Sequence, residues 1–369
     1  MKTAKLTVFD PVARTFEVCE YPITTPAPGN AGLSLLYSGI CGTDIHICQG
    51  KLGPMPFPLV LGHEFIGKVE QLGDGDAIDG LGNKITIGDS AIACVAIPCG
   101  KCFNCKRGET ASCMAFSTTY AKPVEDAPHF HGGFAEYQEV SARNLVRLPA
   151  SVDPKAAAAF PCGGPTIIRS CVYGGGLEKG ELVVVQGNGS LGLFAVAYAK
   201  SKGCRTICIG STANKYRMEM TTAFKPDIFI DFRKTTPEET AKTILAEAEK
   251  HGRGDGADVC IETSGDPAAF PLGLSLLRTR GRYFVPDQYS DRGTIAIPPH
   301  LITFRALRII GSGQYMLGDV STYLDFLAAN PDLQKLFASI VSSYSIGDVH
   351  TAIDDATAGR TIKAVFAKS

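Results

Sequence analysis

Tryptophan is absent from this chain, and so is any unbroken apolar stretch near the ~20 residues of a membrane-spanning helix. The second absence leaves no candidate span. The opening residues, MKTAKLTVFDPVARTFEV, are broken by charges and Pro11 and lack the continuous apolar segment of a signal peptide. An excess of either charge is missing too. With 36 Lys and Arg against 37 Asp and Glu, the net charge of −1 gives no electrostatic reason for nucleic acid or an anionic membrane as a partner. Neither an internal repeat nor a low-complexity tract is present.

What is present has the balance of a globular protein, 45% apolar and 20% charged. A length of 369 residues exceeds what one hydrophobic core supports, so two domains are expected. Thirteen cysteines in a long chain without an export signal read as metal ligands and reduced thiols, and the expected location is cytoplasmic. Nineteen Phe and twelve Tyr supply apolar surface for a cleft in spite of the missing Trp.

Residues 1–160 alternate short β-type runs, such as AGLSLLYSGI and HEFIGKVEQLG, with turn clusters such as GDGDAIDGLGNK, the texture of an irregular antiparallel barrel. Near Glu181 the texture changes. ELVVVQG, RTICIG, DIFIDF, ADVCIETSG and RYFVPD read as buried strands. LGLFAVAYAKSKG, ANKYRMEMTTAF, TPEETAKTILAEAEKHG and DPAAFPLGLSLLRTRG between them read as helices. Thr236, Pro237 and Glu239 form a capping signature at the third of these helices. Strand and helix in alternation predict an α/β doubly wound parallel sheet. The closing IKAVFAKS reads as a strand returning to the first domain, so the division expected is 1–165 with 304–369, and 166–303 between them.

VVVQGNGSLG follows a strand and opens a helix, the context in which G-x-G-x-x-G has meaning. Gly187 allows the tight turn, Gly189 the approach of a pyrophosphate, and Gly192 the packing of helix on strand. Ser190 and Leu191 open the helix whose free N–H groups would face the phosphates. About 20 residues further, a carboxylate should hold the adenosine ribose of NAD. Ser211 stands there instead, with Thr212 beside it and Lys215 and Arg217 one turn on. Small donors and cations suit a 2′-phosphate, so NADP is expected over NAD; the plainer reading of Lys215 and Arg217 is a solvated helix face.

PCGKCFNCKRGETASC places Cys99, Cys102, Cys105 and Cys113 within fifteen residues. Four thiolates at this spacing can close a tetrahedral structural zinc site. The Cys-Pro that ends the common iron–sulfur pattern is absent, and the neutral charge counts against a nucleic-acid-binding ribbon. Cys41 in GICGTDIHIC, His63 in LGHEFIG and Cys162 in AAAAFPCGG are dispersed, and spacing alone does not connect them; each could equally be a buried structural side chain.

Taken together and in order, the turn at 39–44, GHE at 62–64, the four-cysteine lobe at about 94–116, Cys162 and GNGSLG resemble the zinc-dependent alcohol dehydrogenases of the medium-chain dehydrogenase/reductase superfamily. GDGDAIDGLGNKITIGD and DAPHFHGGFAEY further resemble the branch with hydroxycamphor-type dehydrogenases. The resemblance implies a GroES-like catalytic domain, a Rossmann domain and an active site in the cleft between them, in a homodimer or homotetramer. It implies a catalytic zinc on Cys41, His63 and Cys162, with Glu64 able to approach the metal and Asp44 orienting His63. Thr43 would bond the substrate hydroxyl and pass its proton toward His46 at the surface. Thr166 would contact the nicotinamide and Lys363 would lie near the pyrophosphate.

Ile45, Phe130 and parts of 285–315 would line the pocket. The reaction implied is hydride exchange between NADP and a secondary, apolar or cyclic alcohol, giving the ketone or aldehyde. Cys162 stands where polyol and threonine relatives commonly carry Glu, which tilts against those NAD-linked alternatives. A zinc-free quinone or enone reductase and a non-catalytic NADPH-binding protein are the rival readings.

Overall fold

The computed structural model describes residues 2–286 and 292–368 and divides into two compact units. The first comprises residues 2–165 and 315–368. It opens with β1 (Thr3–Asp10) and β2 (Thr15–Pro22), an antiparallel pair. The main sheet of this unit begins with β3 (Asn30–Gly39), β4 (Glu64–Leu72) and β5 (Ser90–Ala93), each antiparallel to the one before. Two-residue strands β6 (Ala96–Ile97) and β7 (Ser117–Thr118) pair across the base of the cysteine-rich lobe. Next, β8 (Tyr137–Ser141) pairs with β3, and β9 (Leu145–Arg147) pairs with β5. Leu33, Leu35, Phe65, Ile66, Ile92 and Leu145 are buried along these strands, each worth about 1.5–3 kcal/mol relative to exposure.

The second unit, residues 166–314, is built on β10 (Leu182–Gln186), β11 (Arg205–Gly210), β12 (Ile228–Asp231), β13 (Ala257–Glu262), β14 (Leu277–Val285) and β15 (Arg308–Gly311). All five pairings are parallel, and the spatial order is β12-β11-β10-β13-β14-β15. Strand order therefore reverses between β10 and β13, the point where doubly wound sheets leave a crevice at their carboxyl ends. Val183, Val184 and Val185 are solvent-free on both faces, as a central parallel strand requires. Helix Pro237–Lys250 carries the expected capping box of Thr236 and Glu239. The helix expected over 266–281 ends at Leu276, and Leu277–Val285 is strand. Here pairing with β13 outweighs the local helical pattern.

The chain then returns to the first unit at Tyr315 rather than near 304, because β15 is still needed to complete the parallel sheet. Strands β16 (Val341–Tyr344) and β17 (Lys363–Ala367) pair in parallel, and β17 joins β3 antiparallel. Phe366 packs its ring on Phe134 at 4.8 Å and closes the core on this side. Among the described residues no helix is long and apolar enough to cross a membrane.

Candidate functional site

Three segments of the first unit converge on one cluster. Cys41 follows β3 and caps helix Gly42–Cys48, its N–H donating to Asp44 Oδ2 at 2.8 Å. His63 precedes β4, whose first residue is Glu64, and Cys162 precedes helix Gly163–Tyr173. One donor atom from each of Cys41, His63, Glu64 and Cys162 lies within 4.8 Å of the others. The Cys162 thiol donates to the Cys41 sulfur, which holds Cys41 well below the ordinary thiol range and pushes Cys162 up. A thiol pair that shares a proton, beside a buried imidazole, is a donor set ready to exchange that proton for a soft or borderline cation such as zinc.

Asp44 is fully buried and orients this cluster. Its Oδ1 lies 3.4 Å from His63 Nδ1 and accepts the Gly62 N–H at 3.2 Å. Asp44→Asn is expected to cost 10–100-fold in zinc affinity or turnover, roughly the value of a carboxylate that orients a ligating imidazole. Chelator competition and kcat measure it.

Glu64 and Lys363 are 2% and 5% exposed, and the Lys363 ammonium donates to Glu64 Oε2 and, at 3.3 Å, to the Ile40 carbonyl. Burial pushes the Glu64 carboxyl up to about 7, with Lys363 opposing that shift. The fold explains the pairing. Gly39 faces Glu64 across one side of β3 and Val365 across the other, and a Cβ at Gly39 would overlap both Glu64 Oε2 and the Lys363 side chain. Lys363, expected near a pyrophosphate, pairs with Glu64, 299 residues away along the chain.

Thr43 Oγ1 sits 3.8 Å from Cys41 Sγ, and His46, three residues along the same helix, is half-buried. The Tyr120 ring lies 5.8 Å from that of His63, a neighbour that no local pattern announced. Phe130 corrects the expected pocket: it is 1% exposed and packs edge-on against Tyr137 in the core. Ile45 is half-buried, and residues 287–291 of the expected lining lie outside the described residues.

The second donor group is Cys99, Cys102, Cys105 and Cys113, again within 4.8 Å of one another. The Cys105 N–H donates to Cys102 Sγ at 3.5 Å, and the Cys99 and Ala115 N–H groups donate to Cys113 Sγ at 3.3 and 3.4 Å. These bonds favour thiolates, and the Cys105 amide leads in lowering Cys102 to about 6. The remaining cysteines form no disulfide, and burial pushes Cys48, Cys94, Cys171, Cys204 and Cys208 up to about 12, leaving neutral core thiols.

In the second unit, Gly187 leaves β10 with φ +120°, a conformation that favours glycine, and a Cβ there would meet the Thr263 carbonyl at 2.7 Å. Gly189 caps helix Ser190–Ser201, in which Leu193 is the first residue to donate back, to Gly189 at 2.9 Å. The N–H groups of Ser190, Leu191 and Gly192 therefore precede the first intrahelical bond. Thr166 is half-buried in the first turn of helix Gly163–Tyr173.

After β11, Ser211 and Arg217 are half-buried and Lys215 is exposed. Arg217 Nε is shielded from solvent with no hydrogen-bond partner among the described residues. Thr212 corrects the expectation of a free donor: its hydroxyl donates to Asp231 Oδ2 at 2.5 Å, and its N–H to the same oxygen at 3.4 Å. Asp231, at the end of β12, lies too far along the chain for the usual count from the glycine loop to reach.

Comparison with known proteins agrees with this geometry. The family model described as Alcohol dehydrogenase GroES-like domain matches residues 27–150, and that described as Zinc-binding dehydrogenase matches residues 190–329. The chain is 31% identical over 357 residues to 5-exo-hydroxycamphor dehydrogenase of Pseudomonas putida, covering 95% of this chain and 94% of that one. It is 30% identical over 356 residues to a sorbitol dehydrogenase of Halalkalibacterium halodurans, with 94% of each covered. Its fold matches that of an alcohol dehydrogenase from Thermotoga maritima with a TM-score of 0.92 at 22% identity, over 100% of both chains. The chain belongs to the zinc-dependent alcohol dehydrogenases of the medium-chain dehydrogenase/reductase superfamily.

Proposed function

We propose that this dehydrogenase interconverts a secondary, apolar or cyclic alcohol and its ketone with NADP as the hydride carrier. The observation that carries the proposal is the Cys41–His63–Cys162 cluster, with Glu64 drawn to Lys363. With Glu64 drawn to Lys363, Cys41, His63 and Cys162 would hold a zinc ion and leave a coordination position for substrate. Cys162 as third ligand and the likeness to a hydroxycamphor dehydrogenase favour the substrate class. Zinc held by these residues would supply a Lewis acid for the alcohol oxygen, and a bound nicotinamide cofactor would supply the hydride acceptor. Asp44 keeps His63 oriented for the metal. Thr43 Oγ1 would accept a hydrogen bond from the alcohol and donate its own proton onward toward His46, one turn along the same helix. Oxidation thus yields ketone, NADPH and one proton.

For the cofactor, Arg217 offers a shielded Nε–H without a partner among the described residues, and Ser211 offers a hydroxyl where a carboxylate would repel phosphate. Arg217→Ala is expected to lower kcat/KM for NADP by about 10–100-fold with little change for NAD, about 1.5–3 kcal/mol for a bond to a charged group. A panel of secondary, cyclic, aromatic and polyol alcohols with both cofactors tests the whole reading. Higher efficiency with NAD, or with sorbitol or threonine, would overturn it.

Strand β15 forms one edge of the parallel sheet, with Ile309 39% exposed and Phe304 nearby in sequence 83% exposed. An apolar edge of this kind is a pairing surface. It supports a homodimer, or a tetramer built from such dimers. Light scattering is expected to give an even oligomer, and Ile309→Lys to shift it toward monomer.

A further inference from the structure

The loop that follows β11 is gripped from two sides by side chains of other segments. Asn188, inside the glycine loop, is 4% exposed. Its Oδ1 accepts the Ser211 N–H, and its Nδ2 donates to the Ser211 carbonyl and to Thr221 Oγ1, each at 3.2 Å. Thr221 is fully buried and donates to the Arg217 carbonyl at 2.8 Å, so the bridge reaches into helix Lys215–Phe224. On the far side Asp231 holds Thr212 and accepts the Arg233 N–H at 3.0 Å. One carboxamide thus binds both backbone polar groups of Ser211, which fixes that residue relative to the glycine loop. The Ser211 Oγ accepts the Ala213 N–H at 3.1 Å and retains its own proton to donate.

We propose that Asn188 is the positioning residue for cofactor selectivity. By bridging the glycine loop to Ser211 and to the helix that bears Arg217, it sets the distance at which a ribose 2′-phosphate is told from a free 2′-hydroxyl. The proposal rests on the reading of this loop as the seat of the adenosine ribose. A side chain acting this way changes the ratio of two affinities, whereas a merely structural side chain changes both alike.

The test uses the zinc-loaded full chain. Dissociation constants of NADP, NAD and adenosine 2′-monophosphate are measured by calorimetry for the wild type, Asn188→Ala and Asn188→Leu. Leucine keeps the buried volume, and circular dichroism and Tm verify folding of each variant. Loss of the bridge is expected to reduce the NADP preference over NAD about tenfold and to weaken adenosine 2′-monophosphate equally, the scale of one or two hydrogen bonds. An unchanged ratio, or equal weakening of both cofactors, overturns the role of Asn188. A wild type that prefers NAD overturns the NADP reading instead, while a ratio that still moves in the variants supports the bridge.

Discussion

Alanine at Cys41 or at His63 is expected to lower kcat about a thousandfold or more and to reduce the zinc content from two ions per chain to one, with the fold intact. The two donor groups account for the count. The size follows from the chemistry: a Lewis acid at the reacting oxygen is worth several kcal/mol, and ~1.4 kcal/mol is tenfold in rate. His63 is 4% exposed and contributes the one imidazole of the donor group, so its loss leaves the two sulfurs without that ligand. Loss of His63 also leaves Asp44 buried without the imidazole beside it, which costs stability as well as metal. Metal analysis of the purified chain, circular dichroism and turnover of a secondary alcohol with NADP decide the matter. A variant that keeps two zinc ions and activity within tenfold of the parent would falsify the ligand assignment.

Serine at Cys102 or Cys113 is expected to act on stability instead. The lobe between β6 and β7 is closed by a two-residue strand pair, and much of its apolar surface faces water: Phe103 is 67% exposed and Met114 73%. Burial does little to hold such a segment, so it is expected to depend on a metal bound by the four thiolates. Loss of a structural metal belongs among the largest single-residue effects, and a drop of more than about 4 kcal/mol in unfolding free energy is expected. Urea unfolding measures it, and proteolysis after Lys101, Lys106 or Arg107 reports local opening of the lobe. The remaining zinc should stay with Cys41, His63 and Cys162, and turnover per folded chain should persist at low temperature. If serine at Cys102 left both the zinc count and the urea midpoint unchanged, the lobe would not be a metal site.

These two outcomes separate what each metal is for. The first cluster is ordered by Asp44, Lys363 and the strands around them, with His63 and Glu64 buried, so removal of its metal should spare the fold. The lobe has no such support, so its removal should spare the chemistry and not the structure.

The sequence is legible where a few consecutive residues impose the geometry. Gly187 at φ +120°, the Thr236–Glu239 capping box and four thiols on one short lobe are local, and their meaning survives without the rest of the chain. It misleads where local pattern and tertiary pairing disagree. Leu277 had a helical context and became strand because β13 offered Ala257 as a partner. Thr212 looked free until β12 brought Asp231 to its hydroxyl, and Phe130 looked like pocket lining until the core closed over it.

By itself, then, the sequence determined the architecture, the glycine loop, the lobe and the types of metal donor, since periodicity, turn chemistry and ligand softness are properties of short segments. The tertiary structure alone decided that Lys363 neutralises Glu64, that Asn188 holds Ser211 and that Tyr120 faces His63. The physical reason is register. Strand β3 pairs with β4 on one side and with β17 on the other, so Glu64 and Lys363 approach each other over Gly39 only once both pairings exist, and no spacing along the chain encodes that distance.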